Sequence, residues 1–195
     1  MIFKLIDYLP YLGVKFGLAK SLINKSLFFR IMNEMLNTFK KLKSSKEFKE
    51  NSKDSYLTSC FKMGKDSHLD NSWQFDFYSK KTHKITSFQV DKNITVQKDQ
   101  EIFSDKNKSP EELDIMKVKV NLKEALAIAK KHKEVEQQND SINKEIIILQ
   151  ESDQIPIWNI TFLTSAFNII NIKIDADSSK IIKYKCESIM SFKLK

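Results

Sequence analysis

Two stretches of the chain alternate apolar and polar residues in the same way. Trp73, Phe75 and Phe77 stand two apart, and so do Trp158, Ile160 and Phe162; that period belongs to a strand with one buried face. Each stretch leads into a second alternating run, Ile85-Thr-Ser-Phe88-Gln-Val90 and Ile170-Asn-Ile172-Lys-Ile174, which closes on Asp91 or Asp175. The copies align when one extra residue is allowed in the first hairpin loop. Trp73, Phe77, Trp158 and Phe162 are the expected structural anchors of this repeat. A large aromatic that starts a buried strand face contributes roughly 2–3 kcal/mol by burial, which favours anchoring over ligand stacking.

Elsewhere the apolar period becomes helical. From Leu18 to Lys43, apolar residues including Leu22, Phe28, Met32, Met35 and Phe39 recur every three or four positions, which predicts an amphipathic helix of several turns. Residues 1–17, broken by Pro10, Gly13 and Gly17, form a hydrophobic arm or a separate short helix. Ser44 to Asp54 is a fraying helix end or a loop. Tyr56–Met63 and Ile94–Val96 read as short strands. Ser109-Pro-Glu-Glu112 predicts a short helix with a capping serine and first-turn proline. Asn121-Leu-Lys-Glu124 is a capping box that opens a stronger helix, with Leu122, Ala125, Leu126, Ala129 and His132 on one face and its end near Val135. Four β-rich runs follow: Ile146–Leu149, Ile157–Leu163, Phe167–Ile174 and Lys180–Tyr184.

The expected fold is therefore α+β: two repeated units, each a helix packed on a curved antiparallel β-sheet meander, with a basic amphipathic N-terminal helix. The expected divisions are an arm at 1–17, a first unit at 18–108 and a second at 109–195. A chain of 195 residues can bury a real core, and 41% hydrophobic with 30% charged residues is an ordinary globular composition.

The net charge of +8 changes this picture because it is concentrated at one end. Lys15, Lys20, Lys25, Arg30, Lys40, Lys41 and Lys43 face only Asp7 and Glu34 in the same region. A basic helix with an apolar stripe suits an anionic membrane or an acidic partner, so these residues are the candidate contacts. Nucleic acid is disfavoured, because Arg30 is the only arginine and the bidentate fork that reads phosphate and guanine is otherwise missing.

Candidate reaction chemistry is sparse. His68, His83 and His132 have no metal-binding spacing, and Gly13, Gly17 and Gly64 form no phosphate-cradling loop. Asp175-Ala-Asp177 lacks the oxygen-rich loop of a calcium site and reads as a turn. Asp76 and Asp91 read as solvent-face residues rather than an acid–base pair. Cys60 and Cys186 suggest neither a zinc site nor a disulfide framework, and are expected to behave as small apolar residues in a reducing compartment. Asp7, Pro10 and Lys15 interrupt the apolar N-terminal stretch, so no export signal or spanning helix is expected, and the location expected is cytoplasmic or peripheral at a membrane.

Residues 120–192 resemble the PepSY family. The resemblance is carried by Asn121-Leu-Lys-Glu-Ala125-Leu126, by Pro156-Ile-Trp158-Asn-Ile-Thr-Phe162, and by Ile172-Lys-Ile-Asp175-Ala176-Asp-Ser-Ser-Lys180-Ile181-Ile182. Trp73 to Val96 resembles the same unit more faintly. The family implies a helix on a curved antiparallel sheet, a noncatalytic role, and binding or inhibition of a peptidase or other protein partner; no cofactor is expected. Ser179 departs from it, standing where the family commonly has Gly, so the turn either differs or carries about 1 kcal/mol of strain. The expectation is a noncatalytic binding or regulatory protein that contacts a protein or peptide through a sheet face or edge. The alternative is a peripheral membrane protein that uses the basic helix.

Overall fold

The strand-forming stretches assemble into one sheet. The computed structural model describes residues 34–65, 68–101, 109–136 and 140–192. The strands are β1 (Ser55–Lys65), β2 (His68–Leu69), β3 (Trp73–Ser79), β4 (Lys84–Val90), β5 (Ile94–Gln100), β6 (Ile142–Ser152), β7 (Ile155–Thr164), β8 (Asn168–Asp175) and β9 (Ile181–Ser188). Every pairing is antiparallel, in the order β5-β4-β3-β1-β6-β7-β8-β9, with β2 on the end of β1. The β1–β6 ladder makes the sheet continuous across the two expected units, and Thr38–Lys195 is one compact body.

Three α-helices accompany the sheet among the described residues: α1 (Glu34–Ser44), α2 (Lys46–Asn51) and α3 (Leu122–Val135). They serve a single sheet face. The Phe39 ring of α1 lies 5.3 Å from that of Phe75, and Phe48 of α2 lies 5.0 Å from Phe77 and 5.5 Å from Phe88. Helix α3 contacts β7 and β8. Its buried Ala125 and Ala129 have side chains small enough for the helix axis to approach the sheet closely. Asn121 caps α3 by accepting from the Glu124 amide at 3.0 Å, as the capping box predicts.

Cross-strand register aligns the core. Trp73 lies opposite Val90 and Phe75 opposite Phe88, while Trp158 lies opposite Ile174 and Ile160 opposite Ile172. At the β1–β6 join Phe61 pairs with Ile148, Cys60 with Leu149 and Lys62 with Ile147. Buried Lys62 holds its ammonium 5.0 Å over the Trp73 ring, which compensates part of the loss of water around that charge.

Several local expectations are revised. Ser109-Pro-Glu-Glu112 does not begin a helix: the Ser109 hydroxyl lies 3.2 Å from the Tyr78 hydroxyl, and the Pro110 carbonyl accepts from Tyr56 at 2.8 Å. With those groups engaged by strand residues, the helical turn comes later, as a 3-10 turn over Ile115–Lys117 capped by Asp114. Ser44–Asp54, expected as fraying helix or loop, instead holds α2, because the Ser45 side chain accepts from the Phe48 amide at 3.1 Å. The expected short strand at Tyr56–Met63 is longer, and central. Gly64 allows its return into β2, since a Cβ there would meet the His68 carbonyl oxygen at 2.8 Å.

Ser179 adopts φ 65°, the left-handed conformation that glycine takes more readily than serine. Its amide donates to the Asp175 carbonyl at 3.0 Å, which holds it there. Ser179→Gly is therefore expected to raise stability by about 0.5–1 kcal/mol, read as a higher denaturant midpoint at unchanged slope. An unchanged midpoint would mean that the serine is unstrained.

Candidate binding face

Because both groups of helices use one face of the sheet, the other is left without a helix among the described residues. Register identifies its members. Phe61 and Met63 of β1 lie opposite Ile148 and Ile146 of β6, and Leu163 of β7 lies opposite Ile169 of β8. All six are half-buried. They are apolar residues at positions where an antiparallel sheet with one solvated face carries polar ones.

Polar clusters flank this strip. On one side the Asp76 carboxylate accepts from Ser59 at 2.7 Å and Gln74 at 2.8 Å, and lies 2.6 Å from the Ser87 hydroxyl. On the other, the Asn171 amide donates to Asn159 at 2.7 Å and Thr161 at 2.8 Å. These bonds order the side chains while leaving them half exposed, apart from Ser87, which is buried. Two cross-strand pairs on the same face are lysine against lysine: Lys65 with Lys144, and Lys173 with Lys183.

The sequence-predicted residues lie elsewhere. Trp73, Phe77, Trp158 and Phe162 are all buried on the helix-bearing face, where they hold the sheet and its helices together. Lys15, Lys20, Lys25 and Arg30, with the arm at 1–17, lie outside the described residues. Of the remaining basic candidates, Lys40 is exposed, whereas Lys41 donates to the Asp91 and Lys92 carbonyls at 2.6 and 3.2 Å. Lys43 sits 4.3 Å over the Phe48 ring. The two latter charges brace α1 against the rest of the fold.

A cleft of about 490 Å³ lies beside α1, lined by Phe39, Lys43, Tyr56, Phe77, Glu112 and Lys117 among others. Neither a histidine nor a cysteine lines it. His83 Nδ1 lies 2.9 Å from the Tyr78 hydroxyl, and the His132 ring is 5.0 Å from Tyr184. Among the described residues no group of three or more His, Cys, Asp or Glu side chains could hold a metal ion. Cys60 and Cys186 are both free, and four successive ladders separate β1 from β9. Burial, with a smaller contribution from Asp76, pushes the Cys60 thiol well above its ordinary value, so it stays protonated and unreactive.

Expectation missed Phe61, Met63, Ile146 and Ile148 as surface residues. The available signal was Ile146-Ile-Ile-Leu149, an unbroken apolar run, together with the adjacent apolar pairs Phe162-Leu163 and Ile169-Ile170; such runs belong to strands with apolar groups on both faces.

The described residues thus define an α+β protein built on one large antiparallel sheet, with helices on one face and an apolar strip on the other. No family model and no curated protein matches the chain. Among solved structures, the crystal structure of a candidate lipoprotein from Clostridium difficile 630 is similar, with 14% identity, a TM-score of 0.48, and coverage of 72% of this chain and 88% of that one. No helix among the described residues is long and apolar enough to cross a membrane.

Proposed function

We propose that this chain is a noncatalytic binding or regulatory protein, made of two PepSY-like units, that receives a protein or peptide partner on its open sheet face. Duplication is supported by register: the Trp73–Val90 and Trp158–Ile174 pairs occupy corresponding places in their hairpins. The β1–β6 ladder fits the same idea, since mapping Cys60 to Ile147 and Lys62 to Leu149 turns the Cys60–Leu149 pair into the Lys62–Ile147 pair. Phe61–Ile148 then sits on a local two-fold axis. The same mapping brings Gln74, Asp76 and Ser87 onto Asn159, Thr161 and Asn171, so both polar clusters flank the axis.

The observation that carries the binding reading is the strip of Phe61, Met63, Ile146, Ile148, Leu163 and Ile169. Contiguous apolar side chains rimmed by polar groups mark interaction surfaces, because covering them removes apolar area from water while the rim hydrogen-bonds. The test is photo-crosslinking in the native cell, with the reactive residue placed at Phe61, at Leu163, or at exposed Lys123 on α3. One polypeptide captured from both strip positions and not from Lys123 is the expected result. Equal capture from Lys123, or capture from neither strip position, would reject the reading.

Peripheral membrane attachment through the basic N-terminal helix is a second proposal, resting on the charge pattern alone. With Lys41 and Lys43 engaged internally, it depends on Lys15, Lys20, Lys25, Arg30 and Lys40. It requires binding to anionic vesicles that weakens with salt.

A further inference from the structure

The open face carries a charge arrangement that costs stability. Lys65 lies directly opposite Lys144, and Lys173 directly opposite Lys183. Like charges at such positions repel, while a lysine facing a carboxylate would attract. Among the described residues no carboxylate pairs with these four lysines: Asp76 is held by Ser59 and Gln74, and Glu187 pairs with Lys185 at 2.6 Å. Lys65, Lys144 and Lys183 are exposed, so their ammonium groups remain hydrated and available.

The pairs bracket the apolar strip. Lys144 is itself opposite Leu163, next to the Met63–Ile146 pair, and Lys173 follows Ile169 and Asn171 along the same face of β8. From these positions we infer that the open face is a docking surface for an acidic polypeptide, whose apolar side chains cover the strip while its carboxylates meet the two lysine pairs. This rests on the binding reading above and adds the chemistry of the partner. An anionic membrane offers the same charge but a poorer match at the centre. Asn159, Thr161 and Asn171 would lose water against acyl chains, whereas peptide amides supply donors and acceptors for them.

The test uses the full-length chain, labelled with nitrogen-15, and short synthetic peptides in which leucine alternates with glutamate, serine or lysine. Vesicles of phosphatidylserine in phosphatidylcholine form a separate arm. The expected result is that the leucine–glutamate peptide shifts the amide signals of β1, β6 and β8, more weakly as salt rises. The lysine peptide and the vesicles leave them unmoved. In Lys173→Gln/Lys183→Gln, affinity for the glutamate peptide falls about 5- to 10-fold, while the melting temperature rises by about 1–3 °C as the repulsion is removed. A purely structural role for these lysines would lower the melting temperature instead. Equal shifts from all three peptides would overturn the acidic partner and leave the binding face standing. Vesicle binding without peptide binding would assign the face to lipid. Silence from every probe, together with no crosslink at Phe61, would remove the binding face as well.

Discussion

Trp158→Ala is expected to destabilise the protein by about 3–5 kcal/mol, a substantial part of the total stability of a domain. Trp158 is fully buried, and its indole donates to the Val120 carbonyl at 2.8 Å. Alanine removes the ring from the buried face of β7 and leaves a cavity in a core that cannot fully collapse. Trp158→Phe separates the two contributions. It keeps most of the apolar area but leaves the Val120 carbonyl without that donor, at about 1–3 kcal/mol. The Lys119 and Val120 amides both donate to the Ala176 carbonyl, at 2.9 and 2.8 Å, so the segment just before α3 is pinned there as well. Faster hydrogen exchange at these two amides, beyond the change elsewhere, should accompany the phenylalanine variant. Exchange that rises uniformly would show that the indole bond does not hold the connection.

Lys130→Met is expected to cost about 3 kcal/mol or more, although the side chain it removes is partly exposed. The reason lies in its partner. Glu145 is fully buried on β6, and its carboxylate lies 2.8 Å from the Lys130 ammonium. Deleting the lysine leaves a charge beneath α3 with its nearest cation gone. The double variant Lys130→Met/Glu145→Leu should recover most of the loss, because an apolar pair of similar volume replaces both ions without stranding either. Denaturant unfolding of the two single variants and the double variant measures this. If the double variant is as unstable as the sum of the singles, the pair is not the latch between α3 and β6.

Much of this was legible in the chain because its causes are local. The alternation at Trp73–Phe77 and Trp158–Phe162 predicts strands with one buried face, and all four anchor residues are buried. The Asn121 capping box predicts the start of α3, since capping involves a side chain and an amide three residues apart. Ser179, read as misplaced in a turn that favours glycine, does adopt positive φ. Ser109-Pro110 misled for the opposite reason. Its polar groups bond to Tyr78 and Tyr56, distant in sequence, and local helix signals yield when tertiary partners are available.

The sequence by itself determined which residues become strands, where α3 begins, and which side chains face the core, because period and capping act over a few residues. Only the tertiary structure decided that β1 pairs with β6, making one sheet of the two halves, and that α1, α2 and α3 all pack on the same side of it. Backbone ladder bonds are the same for any residue pair, so beyond the short hairpin loops no pattern in the chain announces which distant strands will be neighbours. The strip at Phe61–Ile148 and the facing lysines therefore exist only once that ladder has formed.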